Sequence, residues 1–127
     1  MSKQKTVLIV DDEVAFLESA EIALKGQYLC RTARSGEECL QEVDKEKPDL
    51  ILLDVMMSDI FDGLETAKKL KSQPATQNIP IILLTSVNQS VDIRSQMDDA
   101  NFPREKWLDK PVKAEVIKAE VEKLIGK

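Results

Sequence analysis

The chain contains no histidine, and with that residue go the Ser-His-Asp and Cys-His nucleophile systems and most catalytic zinc sites. Cys30 and Cys39 have no further cysteine or histidine with which to share a metal, so both are read as reduced structural thiols. Long apolar runs are missing too. The first, Val7-Leu8-Ile9-Val10, is too short for the core of a signal peptide and far too short to span a bilayer, which leads to the expectation of a cytoplasmic protein without membrane insertion. Positive charge is in deficit: 18 basic residues against 23 acidic ones give a net charge of −5, so direct binding to a nucleic-acid backbone is not expected. What remains for chemistry is carboxylates, lysine, hydroxyls and a bound hard metal. A length of 127 residues, 43% hydrophobic and 32% charged, suits one domain with its own core, and no linker or low-complexity segment divides it.

The apolar pattern alternates between two periods. Val7-Leu8-Ile9-Val10 is a continuous apolar run rich in β-branched residues and closed by Asp11-Asp12, as in a strand buried on both faces. Val14, Leu17, Ala20 and Leu24 then recur at helical spacing over residues 13–25, with Gly26 as the stop. A short strand over 28–33 is followed by Ser35-Gly36-Glu37-Glu38, which has the form of a capping box, and by a helix to about residue 47. Pro48 breaks that helix before Leu50-Ile51-Leu52-Leu53, the most apolar run, which ends in Asp54 and should be the central strand. After a loop with Asp62-Gly63, a helix is expected over 64–70 and a fourth strand over 81–85. A helix over about 88–99, a short fifth strand at Trp107-Leu108 and a final helix with Val116, Ile117, Val121 and Leu124 on one face complete the pattern. Five strands alternating with five helices predict a doubly wound α/β domain with one parallel sheet covered on both faces.

In such a sheet the ligand site lies beyond the carboxyl ends of the strands, where the strand order reverses. Four strand ends carry polar residues: Asp11 and Asp12 after the first, Asp54 after the third, Thr85 after the fourth and Lys110 after the fifth. Taken singly each has a plainer explanation. Asp11-Asp12 could cap a helix, Asp54 could serve a turn, Lys110 could be a solvated lysine and Trp107 a core aromatic. Their joint placement is what counts. Three carboxylates in one pocket need compensating charge, and oxygen donors without histidine or cysteine favour Mg²⁺, which commonly pairs one or two carboxylates with a phosphate. A carboxylate can itself be the nucleophile toward phosphorus, with lysine and a hydroxyl stabilising the phosphoryl oxygens.

Val10-Asp11-Asp12-Glu13, Leu53-Asp54-Val55-Met56-Met57, Leu84-Thr85-Ser86 and Leu108-Asp109-Lys110-Pro111 resemble, in order and over nearly the whole chain, the four signature blocks of bacterial response-regulator receiver domains. The resemblance implies a flavodoxin-like sheet of strand order 2-1-3-4-5 and makes Asp54 the phosphoacceptor. Asp12, Asp54 and the backbone carbonyl of Met56 would be direct Mg²⁺ ligands, with Asp11 assisting chiefly through water. Lys110 would contact the phosphoryl group, with the Lys110-Pro111 bond cis. Thr85 and Trp107, at the positions of the switch hydroxyl and switch aromatic, would remodel the face made by the helix over 88–99, the fifth strand and the final helix. It also implies a sensor histidine kinase or histidine phosphotransfer protein as donor and a downstream protein as target. The chain would then be a single receiver domain over 1–127 without an output domain, a switch that catalyses only its own phosphorylation and dephosphorylation. Whether phosphorylation drives homodimerisation is left open.

Several positions depart from the family pattern. Ser58 replaces a usual proline, the loop 58–63 is one residue longer, and 100–106 is longer than the usual short turn before the fifth strand. Met56 and Val87 are apolar at positions that commonly tune phosphoryl lifetime. Three rival readings meet specific obstacles in the sequence. A small Mg²⁺-dependent aspartyl phosphohydrolase would want an Asp-x-Asp spacing that Asp11-Asp12-Glu13 lacks. A nucleotide or flavin binder would want a Gly-rich or hydroxyl-rich phosphate loop after the first strand. A degenerate receiver acting only as an interaction module is opposed by the complete Asp, Thr and Lys set.

Overall fold

The computed structural model describes residues 4–55, 62–86 and 107–126. Five strands, β1 (Thr6–Val10), β2 (Leu29–Ala33), β3 (Leu50–Asp54), β4 (Ile81–Ser86) and β5 (Trp107–Lys110), form one sheet in the order β2-β1-β3-β4-β5. All four pairings are parallel, in registers that align Val10 with both Ala33 and Leu53, Asp54 with Leu84 and Thr85 with Asp109. Four helices lie among the described residues: α1 (Val14–Leu24), α2 (Gly36–Lys45), α3 (Asp62–Ser72) and α4 (Ala114–Ile125). The helix expected over about 88–99 lies outside the described residues, as do the lengthened segments 58–61 and 100–106.

Each apolar strand residue points to the opposite face from its neighbour, which is why β1, β3 and β4 read as unbroken apolar runs. Leu8, Val10, Ile51, Leu53, Ile81 and Leu83 meet Cys39 and Val43 of α2 and Leu64, Ala67 and Leu70 of α3 on one face. Val7, Ile9, Leu50, Leu52 and Ile82 meet Leu17, Ala20 and Leu24 of α1 and Ile117 and Val121 of α4 on the other. Helices thus cover both faces, as expected of a doubly wound sheet. Val14 and Val116, expected on buried helix faces, are instead 47% and 40% exposed. Both helices bury a narrower stripe, and α4 keeps only the row through Ile117 and Val121 inside.

Ser35 caps α2 as its sequence predicts, its hydroxyl accepting from the Glu38 N–H at 3.1 Å. The Glu38 carboxylate reaches one residue further back than a capping box requires and accepts from the Arg34 N–H at 3.1 Å. Gly26 follows α1 as expected but does not adopt a left-handed cap, since Gly126 is the only glycine of positive φ among the described residues. The chain closes α1 through the N–H groups of Gln27 and Tyr28, both 3.0 Å from the Leu24 carbonyl.

The far end of the molecule is tied across the sheet. The hydroxyl of buried Tyr28 donates to the Gly126 carbonyl at 2.6 Å, and the Lys5 ammonium donates to the Ile125 carbonyl. Carbonyls left free at the end of α4 are thereby satisfied by side chains from the starts of β1 and β2. Burial, and then the charge of Glu122, pushes the Tyr28 hydroxyl above its ordinary pKa. The unfolded chain therefore gives up this proton first. The contribution is complete below tyrosine's ordinary pKa, near 10, and is lost as pH rises through the higher folded value. Tyr28→Phe should lower stability by about 1 kcal/mol at neutral pH, seen as a lower urea midpoint with unchanged slope. It should also flatten the alkaline loss of stability, and tyrosinate absorbance assigns the transition because Tyr28 is the only tyrosine.

Candidate functional site

Asp11 is the first residue beyond β1, and its N–H extends the ladder by donating to the Ala33 carbonyl at 3.1 Å. This pairing holds the side chain at the carboxyl edge of the sheet, fully buried. One carboxylate oxygen, Oδ1, accepts from the Glu13 N–H at 2.9 Å and so serves the start of α1. The other, Oδ2, accepts from Lys110 Nζ at 2.5 Å. The plainer capping role is not realised, since the N-cap of α1 is Glu13 and no side chain caps it; the Asp11 bond to the Glu13 N–H closes a turn just ahead of the helix. Asp12, next along, is exposed at the mouth.

Asp54 ends β3 at 4% exposure, its carboxylate accepting from Lys110 Nζ at 3.1 Å. The main chain around it is set from two sides. The Val55 N–H donates to the Leu84 carbonyl at 3.0 Å, and Gly63, near the start of α3, lies directly on the Asp54–Val55 backbone. A Cβ at Gly63 would sit 2.3 Å from the Asp54 carbonyl oxygen and 2.4 Å from Val55 Cα, so this approach needs a residue without a side chain. Sequence reading placed Gly63 in a loop only. A through-space contact of this kind leaves no mark in local pattern.

Asp11, Asp12 and Asp54 each offer an oxygen within 4.8 Å of the others. Two like charges at that separation repel by about 3.5 kcal/mol at an effective dielectric constant near 20. Lys110 offsets part of this from the end of β5, with a side chain only 19% exposed. Burial alone would pull its ammonium pKa down. The hydrogen bond to Asp11 and the charge of Asp54 outweigh that effect, and the net result lies above the ordinary lysine value. Three carboxylates against one ammonium leave two negative charges, and the all-oxygen donor set suits a hard divalent cation. The residues present therefore fit Mg²⁺. The Met56 carbonyl, expected as a further ligand, lies outside the described residues.

Thr85 is fully buried at the end of β4, level with Asp109 of β5. Trp107 is 6% exposed and belongs to the core cluster with Leu83, Ile81 and Leu64. The Lys110-Pro111 peptide bond is cis, as the resemblance implied. Val87 is outside the described residues. Two neighbours escaped the sequence reading: the Glu13 carboxylate lies 3.7 Å from Lys110 Nζ, and the Phe16 ring centroid lies 4.5 Å from it. The one available signal was position, since Phe16 falls one helical turn after Asp12.

Removing Lys110 strips the compensating charge from two buried carboxylates. Since the ammonium's pKa is raised by folding, its contribution is complete at neutral pH and fades only as pH rises through the raised value. Lys110→Met should cost about 2 to 4 kcal/mol in urea unfolding at neutral pH without divalent cations, and millimolar Mg²⁺ should recover part of the loss.

Comparison with known proteins gives this edge of the sheet a family. The model of the response regulator receiver domain matches residues 7–122. The transcriptional regulatory protein AfsQ1 of Streptomyces coelicolor is 32% identical over 117 residues, 91% of this chain and 49% of that protein. The phosphate regulon transcriptional regulatory protein PhoB of Pseudomonas aeruginosa is 42% identical over 83 residues, 65% of this chain and 36% of that protein. The chain thus spans half or less of the length of these relatives. A response-regulator structure from Chloroflexus aurantiacus superposes with a TM-score of 0.80 at 34% identity, covering 98% of this chain and 100% of that one. The chemotaxis response regulator CheY4 of Vibrio cholerae, at 23% identity and a TM-score of 0.76 over 97% of this chain and 100% of that one, shows the same fold. With the parallel sheet in the order β2-β1-β3-β4-β5 and the acidic cluster at its carboxyl edge, these matches show that the chain belongs to the response-regulator receiver-domain family.

Proposed function

We propose that this receiver domain accepts a phosphoryl group on Asp54 from the phosphohistidine of a sensor kinase or phosphotransfer protein and passes the signal to a downstream protein as a conformational switch. The observation that carries the reading is the position of Asp54. It is a buried carboxylate at the end of the central strand, 3.1 Å from a lysine ammonium and beside two further carboxylates. These residues contain no histidine, so the donor imidazole comes from elsewhere.

In the transfer an Asp54 carboxylate oxygen forms a bond to phosphorus as the phosphorus–nitrogen bond to the donor imidazole breaks. The bonding pair leaves on nitrogen, which takes up a proton. Lys110 is placed to follow the charge from the Asp54 carboxylate to a phosphoryl oxygen, with Asp11 retaining a hold on it. Mg²⁺, when bound, would supply positive charge that offsets the charge of the phosphoryl oxygens. Asp12 and Asp54, with the Met56 carbonyl, would hold it directly. Asp11, whose two oxygens already accept from Glu13 and Lys110, would act through water. Thr85 would donate to the arriving phosphoryl group, and Trp107, three residues before Lys110 on β5, would carry the change to the outer face of β5 and α4.

No turnover of an external substrate is part of this reading, and autodephosphorylation closes the cycle. No helix among the described residues is long and apolar enough to cross a membrane.

Incubation with acetyl phosphate and Mg²⁺ should add one phosphoryl group by intact mass and change the fluorescence of Trp107, the only tryptophan. Asp54→Asn or chelation of the metal should abolish the gain, and Asp12→Asn should slow it by about 100-fold. An undiminished gain in Asp54→Asn would refute the acceptor assignment. Sustained phosphate release from generic phosphoesters would point to a hydrolase instead.

A further inference from the structure

We propose that Phe16 is a positioning residue for the phosphoryl transfer, its ring face holding the Lys110 ammonium in line with Asp54. The inference rests on Asp54 being the acceptor. A lysine ammonium has three N–H groups, and two of its partners are the Oδ2 atoms of Asp11 and Asp54, at 2.5 and 3.1 Å. The Phe16 ring, with its centroid 4.5 Å from Nζ, lies well inside the range over which an aromatic quadrupole attracts a cation, about 6 Å. Glu13 is a weaker competitor, because its carboxylate is 3.7 Å away on a side chain 66% exposed, where water screens it.

A cavity of about 460 Å³ opens beside this arrangement, bordered by Glu13, Phe16, Ser19, Lys110, Val112 and Ile117. A flexible four-carbon lysine stem next to such a space can leave the site unless something opposes it. Phe16 is suited to that task because it is itself fixed. Its N–H donates to the Glu13 carbonyl at 3.1 Å, and its side chain packs on the core that contains Leu17, Ala20 and Ile117. During transfer Lys110 must exchange an Asp54 oxygen for a phosphoryl oxygen. Asp11 and the ring are the two holds that persist through that exchange. An aliphatic side chain at position 16 would fill the space without attracting the ammonium.

The test follows phosphorylation by acetyl phosphate in saturating Mg²⁺ by intact mass, in the wild type, Phe16→Tyr, Phe16→Leu and proteins with mono-, di- and trifluorophenylalanine at position 16. Fluorination weakens the ring quadrupole in steps while keeping the shape, so the series stays informative should Phe16→Leu fold poorly. Phe16→Leu should slow the reaction by about 5- to 10-fold, Phe16→Tyr should stay within about twofold, and the fluorinated series should decline stepwise. In parallel, the Lys110 ε-methylene proton resonance of lysine-labelled protein should carry an upfield ring-current shift that Phe16→Leu removes. A flat fluorinated series, or Phe16→Leu reacting as fast as wild type, overturns the role of Phe16 while leaving Asp54 as acceptor. A wild type that gains no phosphoryl group overturns the acceptor reading and the kinetic role together, and the ring-current shift reports separately on the contact itself.

Discussion

One ammonium, that of Lys110, lies between two carboxylates that the sheet topology brings together from opposite parts of the chain. Asp11 comes from the end of β1 and Asp54 from the end of β3, adjacent parallel strands whose register sets both residues at the carboxyl edge. Both are buried, and neither could be held there ionised without a counter-charge. Lys110 arrives from β5, beyond β4, and its reach across the edge couples the outer strand to the centre. Charge arriving at Asp54 has a direct route to β5 because these groups are already joined.

That coupling makes a switch physically reasonable. In the proposed transfer a phosphoryl group on Asp54 would change which oxygen Lys110 serves, and the residues proposed to respond lie on β4 and β5. Thr85 sits at the end of β4 and Trp107 at the start of β5, both buried. Interiors packed at this density pass from one arrangement to another rather than deforming continuously, so a local exchange of partners can be read at the surface. Tyr28 and Lys5 tie the end of α4 to the opposite edge of the sheet, away from this cluster.

Much of this was legible in the sequence for a specific reason. Parallel strands covered on both faces must be apolar throughout, so Val7 to Val10, Leu50 to Leu53 and Ile81 to Leu84 announce themselves, and the polar residue that ends each run falls at the ligand edge. Asp11, Asp54 and Thr85 fall at that position directly and Asp12 and Lys110 one residue beyond it, and the structure brings the three aspartates and the lysine into one cluster. Features set by through-space contact were not legible. Gly63 matters because α3 crosses the Asp54 backbone, Phe16 because its ring meets a lysine 94 positions later, and Glu38 because it takes the Arg34 N–H rather than the expected Ser35 N–H. Val14 and Val116 show the same limit, since helical periodicity marks a face but not where the neighbouring element stops covering it.

If the acidic cluster serves to place a phosphoryl group on one carboxylate, that carboxylate is Asp54. The most direct measurement traps the product: after phosphorylation, borohydride reduces an aspartyl phosphate to homoserine, which peptide sequencing by mass spectrometry can locate. Homoserine is expected at position 54, with aspartate unchanged at positions 11 and 12. Homoserine at position 11 or 12, or a phosphorylated protein that yields none, would contradict that assignment.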